Sequence, residues 1–120
     1  MDKIVIKELE VEARIGVSEE ERAAHQRLSV TVVMELDLAE AARTDEEAVT
    51  VRYDAVADLV RQVVTERPRK LIESAAGDIA KAILARQMAQ AVTVEVKKFS
   101  VPRSQHVSVQ IRRTQEAAGR

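Results

Sequence analysis

The spacing of apolar residues changes its period twice along the 120-residue chain, and these changes limit the fold more than any other feature. Two segments with strand-like alternation come first, two segments with helical spacing follow, and two alternating segments end the pattern. The segments are 3–15, 28–38, 56–64, 71–84, 92–98 and 107–113. This order predicts an α+β fold, β-β-α-α-β-β, in which two helices cover one face of a four-stranded antiparallel sheet.

Local signals add detail to this order. In the first alternating segment, Ile4 and Ile6 share one parity, whereas the apolar residues from Leu9 onward share the other. A shift of one residue turns the side chains to the opposite face, so we predict either a β-bulge near Lys7–Glu8 or a twist that exchanges the exposed side of the strand. Ser18 precedes a run of glutamates and is predicted to cap a short helical turn.

Length and pattern together indicate how the chain is organised. We predict a single domain over residues 1–113 and a flexible C-terminal tail over 114–120, where no periodicity continues. The predicted sheet has edges and a second face that is only partly polar. Because exposed sheet edges favour association, we expect a symmetric homo-oligomer.

Composition excludes several classes of function. The 20 acidic and 19 basic residues nearly cancel, and only one tyrosine and one phenylalanine are present, so nucleic-acid binding is not expected. No apolar run is long enough to span a membrane, and the charged N-terminus does not resemble a signal peptide. Cysteine is absent, which fits the reducing cytoplasm that we predict as the location.

A metal centre is not expected. The two histidines, His25 and His106, are far apart in the sequence and have no metal-binding spacing. Their simplest role is that of exposed or locally hydrogen-bonded side chains. Phosphate-binding glycine loops and a nucleophile elbow of the form G-x-S-x-G are also missing.

Four polar side chains are candidates for chemistry. Lys98 continues the row of Val92, Val94 and Val96, where another apolar residue is expected, so it is either a lysine whose stem covers apolar surface or an ammonium group in a partly dry cleft. Three more candidates, Glu73, Tyr53 and Glu21, each have an ordinary structural alternative. The alternative for Glu73 is a carboxylate at the start of a helix. For Tyr53 it is an aromatic side chain in the core, and for Glu21 it is a residue of a solvated turn.

Taken together, several stretches resemble the dihydroneopterin aldolase family, in order and at matching spacing over about residues 3–113. The resemblance implies the tunnelling fold, with sheets of four subunits joined into barrels that often stack as octamers and active sites between neighbouring subunits. The matching stretches are IGVSEEERAAHQRLSV (15–30), DLAEAARTD (37–45), TVRYDAV (50–56), LIESAAGDIA (71–80) and VTVEVKKFSVPRSQHVSVQIRR (92–113).

The resemblance also implies roles for individual residues. Lys98, Glu21 and Tyr53 would be catalytic, and Glu73 would anchor the pterin beside the Ile72 backbone. Glu21 and Tyr53 would also contact the substrate. Neither a cofactor nor a metal is implied, and the partner is a small pterin. The implied reaction is retro-aldol cleavage of 7,8-dihydroneopterin into 6-hydroxymethyl-7,8-dihydropterin and glycolaldehyde, a step in folate synthesis.

The chain departs from the family pattern directly after the lysine. Phe99 stands where the family usually has proline, and the loop 100–105 is shorter than in many members. Two alternative functions therefore stay open. One is a 2′-epimerase of dihydroneopterin or its triphosphate, for which Arg103 or Arg112 could contact a phosphorylated side chain. The other is a non-catalytic, oligomeric pterin-binding subunit.

Overall fold

A computed structural model describes residues 1–115 and confirms the predicted architecture. Four strands form one antiparallel sheet in the order β1-β2-β3-β4, and two long helices, α3 and α4, pack against it. Two short helices, α1 and α2, and one 3-10 turn, Glu47–Val49, lie in the connections. The elements are β1 (Asp2–Ala13), α1 (Glu19–Arg22), β2 (Gln26–Leu36), α2 (Ala39–Thr44), α3 (Tyr53–Thr65), α4 (Ile72–Ala85), β3 (Ala91–Lys98) and β4 (Val107–Thr114).

The core lies between the sheet and the two long helices. Alternate residues of β2 and β3 are paired across the sheet, with Val30 opposite Val96 and Val32 opposite Val94, and these four side chains are fully buried. The apolar stripe of α3 and the alanine-rich face of α4 cover them, which explains the helical spacing seen in the sequence. The small alanines let α4 approach the sheet closely.

The predicted irregularity in β1 is present. The pairing of β1 with β2 shifts register between Ile6 and Leu9, and Glu8 has a positive φ of 55°. The Glu8 backbone N–H donates to Thr31 Oγ1 at 2.9 Å, so the bulge keeps a hydrogen-bond partner. This bulge turns the Glu8 side chain to the face of the sheet that carries no helix, where it pairs with Lys97 at 2.8 Å.

The chain end is held against the domain as far as it is described. Thr114 is the last residue of β4, and Gln115 Nε2 donates to the carbonyl oxygens of Leu84 and Ala89 at 3.0 and 2.8 Å. The strand and its hydrogen bonds therefore include the first two residues of the predicted tail, Thr114 and Gln115. The rest of that tail, 116–120, lies outside the described residues.

Candidate active site

Lys98 ends the buried row of β3 and forms an ion pair there. It lies opposite Leu28 and follows Val96 on the helix-covered face of the sheet. Its side chain is only 14% exposed, and Nζ is 2.7 Å from Glu21 Oε2. The apolar row thus ends in a largely desolvated ammonium group that a carboxylate holds in place.

The neighbouring lysine belongs to the other face. Lys97 lies opposite Ser29 and pairs with Glu8 across the uncovered side of the sheet. The hydrogen bond from Lys97 holds the pKa of Glu8 below its ordinary value. The register therefore separates two adjacent lysines, and only Lys98 reaches Glu21.

Glu21 is positioned by the short helix α1. Ser18 caps this helix as predicted, with its Oγ accepting from the Glu21 N–H at 3.1 Å. The hydrogen bond from Lys98 is the main cause that lowers the pKa of the Glu21 carboxyl, although partial burial opposes it. Gln26 Nε2 also lies 3.5 Å from Glu21 Oε2 and donates to the Ile15 carbonyl at 2.6 Å. The carboxylate is thus poised in its charged form beside the lysine.

Gly16 makes room for that carboxylate. Its φ is +153°, a conformation that side-chain-bearing residues rarely adopt, and a Cβ at this position would overlap the Glu21 side chain. Arg22 Nη1 donates to the carbonyl oxygens of Gly16 and Val17, each at 2.8 Å, and so fixes the same connection. The requirement for glycine here could not be read from the sequence, since it arises from the fold of the loop.

Replacing Gly16 by alanine is expected to displace Glu21. Gly16→Ala should lower the free energy of unfolding by more than about 1 kcal/mol, since both backbone and space oppose a Cβ. It should also raise the pKa of Glu21 towards its ordinary value, because the hydrogen bond from Lys98 is lost. Urea denaturation and NMR titration of the carboxyl groups measure the two effects.

Gly77→Ala is the matched control for this substitution. Gly77 lies within α4, and apart from the adjacent residues and the backbone of its own helix nothing lies within 4 Å of a Cβ built there. Alanine is expected to raise the free energy of unfolding by about 0.5–1 kcal/mol, because glycine weakens a helix interior. Equal stability changes at the two glycines would contradict the role assigned to Gly16.

The proposed pterin anchor lies at the start of α4. Ile72 is 7% exposed and turns into the core, whereas Glu73 is exposed in the first turn. Within residues 1–115 the Glu73 carboxylate forms no salt bridge. The Glu73 side chain is therefore available to a ligand.

Tyr53 lies apart from these residues. It begins α3, is 66% exposed and lines an open cleft of about 560 Å³, so it is not a core anchor. None of Lys98, Glu21, Ile72 and Glu73 lines this cleft. One chain therefore joins Lys98 to Glu21 but gives Tyr53 a cleft of its own, and the roles of all five residues stay predictions.

Phe99 turns away from Lys98 to the uncovered face of the sheet. The Arg27 guanidinium lies 4.2 Å from the centre of its ring, and the His106 ring packs edge-on at 6.3 Å. Cation–π and edge-to-face contacts of this kind stabilise the end of β3. The side chain that replaces the usual proline is therefore held outside the Lys98–Glu21 pair.

Neither a metal centre nor a membrane span is expected from the sequence. In the part of the chain that the structure describes, no three His, Cys, Asp or Glu side chains are grouped so that they could hold a metal ion. Among the helices of residues 1–115, none is both long and apolar enough to cross a bilayer.

Comparison with known proteins identifies the family. The sequence profile of the FolB family, dihydroneopterin aldolase, matches residues 4–112. A dihydroneopterin aldolase of Methylorubrum extorquens is 38% identical over 102 residues, covering 84% of this chain and 78% of the relative. One of Bacillus subtilis is 34% identical over 117 residues, covering 94% and 98%.

A solved structure agrees with the sequence relatives. The crystal structure of Escherichia coli dihydroneopterin aldolase in complex with neopterin superposes with a TM-score of 0.90 at 32% identity, covering 94% of this chain and 99% of that one. The family profile, the sequence relatives and the fold agree, so the resemblance seen in the sequence is confirmed. The chain belongs to the dihydroneopterin aldolase family.

Proposed function

We propose that this chain cleaves 7,8-dihydroneopterin into 6-hydroxymethyl-7,8-dihydropterin and glycolaldehyde. Aldolase activity is the function of the family to which the chain belongs. The observation that carries the proposal is the ion pair of Lys98 with Glu21 at 2.7 Å, where the buried row of β3 ends. A charged pair at such a place contributes little to folding stability, which supports a role in chemistry.

The reaction needs a proton acceptor and a place for an electron pair. A base removes the proton of the side-chain 2′-hydroxyl, and the C1′–C2′ bond breaks to release glycolaldehyde. The electron pair of the broken bond forms a C1′=C6 double bond, and the π pair of C6=N5 moves onto the protonated N5 to give an enamine. Addition of a proton at C1′ and loss of the N5 proton then give the hydroxymethyl product and restore the C6=N5 bond.

The residues suit these steps without a cofactor. Lys98 relays protons near N5 and the 2′-hydroxyl, since its ammonium group donates and its amine form accepts. Glu21 orients that amine and contacts the diol of the substrate. Tyr53 exchanges the proton at C1′ through its phenol.

Glu73 anchors the ring in this proposal. Its exposed carboxylate accepts two parallel hydrogen bonds, from the 2-amino group and from N3–H. The Ile72 backbone lies beside it at the beginning of α4. A ring without these donors leaves the carboxylate unmatched, which selects for pterins.

A complete site requires a second copy of the chain. Tyr53 lines a cleft that the other four site residues do not line, and β1 and β4 form the two edges of the sheet in residues 1–115. We infer a tetramer or octamer in which Tyr53 of one subunit meets Lys98 of its neighbour. Edge strands that pair between copies would supply the association.

The cytoplasm is the proposed location. The support is the sequence without cysteine, which needs no oxidising compartment.

The surroundings of Arg112 weaken the case for the epimerase alternative. This arginine makes two hydrogen bonds to the Glu35 carboxylate, at 2.9 and 3.2 Å, on the uncovered sheet face. The pair lowers the pKa of Glu35 and raises the pKa of Arg112. An arginine already committed to a carboxylate is a weak candidate for binding a phosphorylated side chain.

Two substrates and two products distinguish the functions. Purified protein is incubated with dihydroneopterin and, separately, with its triphosphate, while glycolaldehyde and the two C2′ isomers are followed by chromatography. We expect glycolaldehyde from dihydroneopterin. Isomer alone would make the chain an epimerase, and neither product together with tight pterin binding would make it a binding subunit.

A further inference from the structure

Arg69 is the most deeply buried charged side chain in residues 1–115, with 2% of its side chain exposed. Its guanidinium donates to the carbonyl oxygens of Val63, Val64 and Arg67 at 2.9, 3.1 and 3.3 Å. It also donates from Nε and Nη2 to Asp78 Oδ2 at 3.1 and 3.0 Å. The side chain thus caps the last turn of α3 and ties it to α4.

The backbone of the same residue joins a different part of the molecule. The Arg69 N–H donates to the Arg14 carbonyl at 3.1 Å, and the Gly16 N–H donates to the Arg69 carbonyl at 3.0 Å. These bonds form a parallel bridge between Ile15 and Arg69. The connection that carries Gly16 leads directly into α1 and Glu21.

Two halves of the proposed site therefore meet at this residue. Gly16 makes room for Glu21, which holds Lys98. Only a few residues after Arg69, α4 begins with Ile72 and Glu73. The Arg69 backbone thus links the connection next to the acid–lysine pair with the segment that leads into the proposed pterin anchor.

We propose that Arg69 is a positioning residue that sets the distance between the Glu21–Lys98 pair and Glu73. This inference rests on the proposed function. The planar guanidinium can satisfy several carbonyl oxygens and a carboxylate at once, which a lysine ammonium on a flexible stem cannot do in the same geometry. A displacement of about 1 Å is enough to lower the rate of a positioned reaction by up to roughly 100-fold.

A purely structural cap is the competing interpretation, and the chain offers a control for it. Gln115 Nε2 donates to the carbonyl oxygen of Leu84, in the last turn of α4, and to that of Ala89, just beyond α4, at the end opposite to Glu73. Its role in stability is of the same kind as that of Arg69. Within residues 1–115 the hydrogen bonds of Gln115 go to Leu84, Ala89 and Gln90, and none of them reaches the connection that carries Gly16.

The test compares Arg69→Met with Gln115→Met. Steady-state kinetics with dihydroneopterin, the Kd for neopterin and the exchange rate of the Gly16 amide proton are measured for both variants below their melting temperatures. For Arg69→Met we expect about a tenfold or larger loss of kcat, weaker neopterin binding and faster exchange at Gly16. Gln115→Met should lose stability but keep kcat and Kd within about twofold.

Each result decides the proposal. Unchanged kcat and Kd in Arg69→Met, or equal losses in both variants, would show a structural cap only. If Arg69→Met does not fold, Asp78→Asn removes the charge of its partner and is measured in the same way. Absence of activity in the unmodified protein would refute the proposed function, whereas the Kd and the Gly16 exchange rate would still test Arg69.

Discussion

Lys98→Met is expected to lower kcat by about 10²- to 10⁴-fold, the range that a positioned acid–base group contributes. The methionine keeps the length and the apolar stem, so the buried row of β3 stays filled. What disappears is the ammonium group 2.7 Å from Glu21. Quenched-flow or steady-state measurement of glycolaldehyde release gives the rate, and neopterin binding should change much less than kcat.

Lys97→Met is the matched control for this prediction. Lys97 lies one residue before Lys98 on the same strand, points to the uncovered face of the sheet and pairs with Glu8. We expect kcat to stay within a few-fold of the unmodified enzyme. The reverse result, with activity lost in Lys97→Met and kept in Lys98→Met, would move the catalytic role by one residue.

Lys98→Met is also expected to change the pKa of the neighbouring Glu21. The hydrogen bond from Lys98 is the main cause that lowers the pKa of Glu21, while burial raises it. In Lys98→Met the pKa of Glu21 should therefore rise to its ordinary value or above. An unchanged pKa in an NMR titration would show that the ion pair does not persist in solution.

Glu73→Gln should weaken pterin binding by about 10²- to 10³-fold, which corresponds to roughly 3–4 kcal/mol for two charge-assisted hydrogen bonds. The amide has the same shape but brings an N–H₂ group against the donor edge of the ring. Calorimetric titration with neopterin measures the Kd. The loss in kcat/KM should match the loss in binding, unlike the effect of Lys98→Met.

Glu40→Gln provides the control for Glu73. Glu40 is also an exposed carboxylate in the first turn of a helix, α2, so the helix-end electrostatics are similar. We expect an unchanged Kd. An unchanged neopterin affinity in Glu73→Gln would contradict the role of Glu73 as the pterin anchor.

Much of the fold could be predicted from local patterns. The alternation of residues 28–38 and the helical spacing from Val56 marked the strands and helices, and the phase change after Ile6 marked the bulge. These signals are local because neighbouring residues of one element share a face at a fixed period. The four candidate side chains were also visible, although their roles came from resemblance.

The sequence by itself determined the order of elements, the buried faces and the unusual lysine at the end of an apolar row. Only the tertiary structure decided that Lys98 meets Glu21, that Arg69 holds the connection of Gly16, and that Tyr53 occupies a separate cleft. The first of these contacts joins residues on β3 and α1, which lie far apart in the sequence. Periodicity describes which face a residue takes, whereas the partner it finds there depends on sheet register and on the packing of loops that carry no periodic pattern.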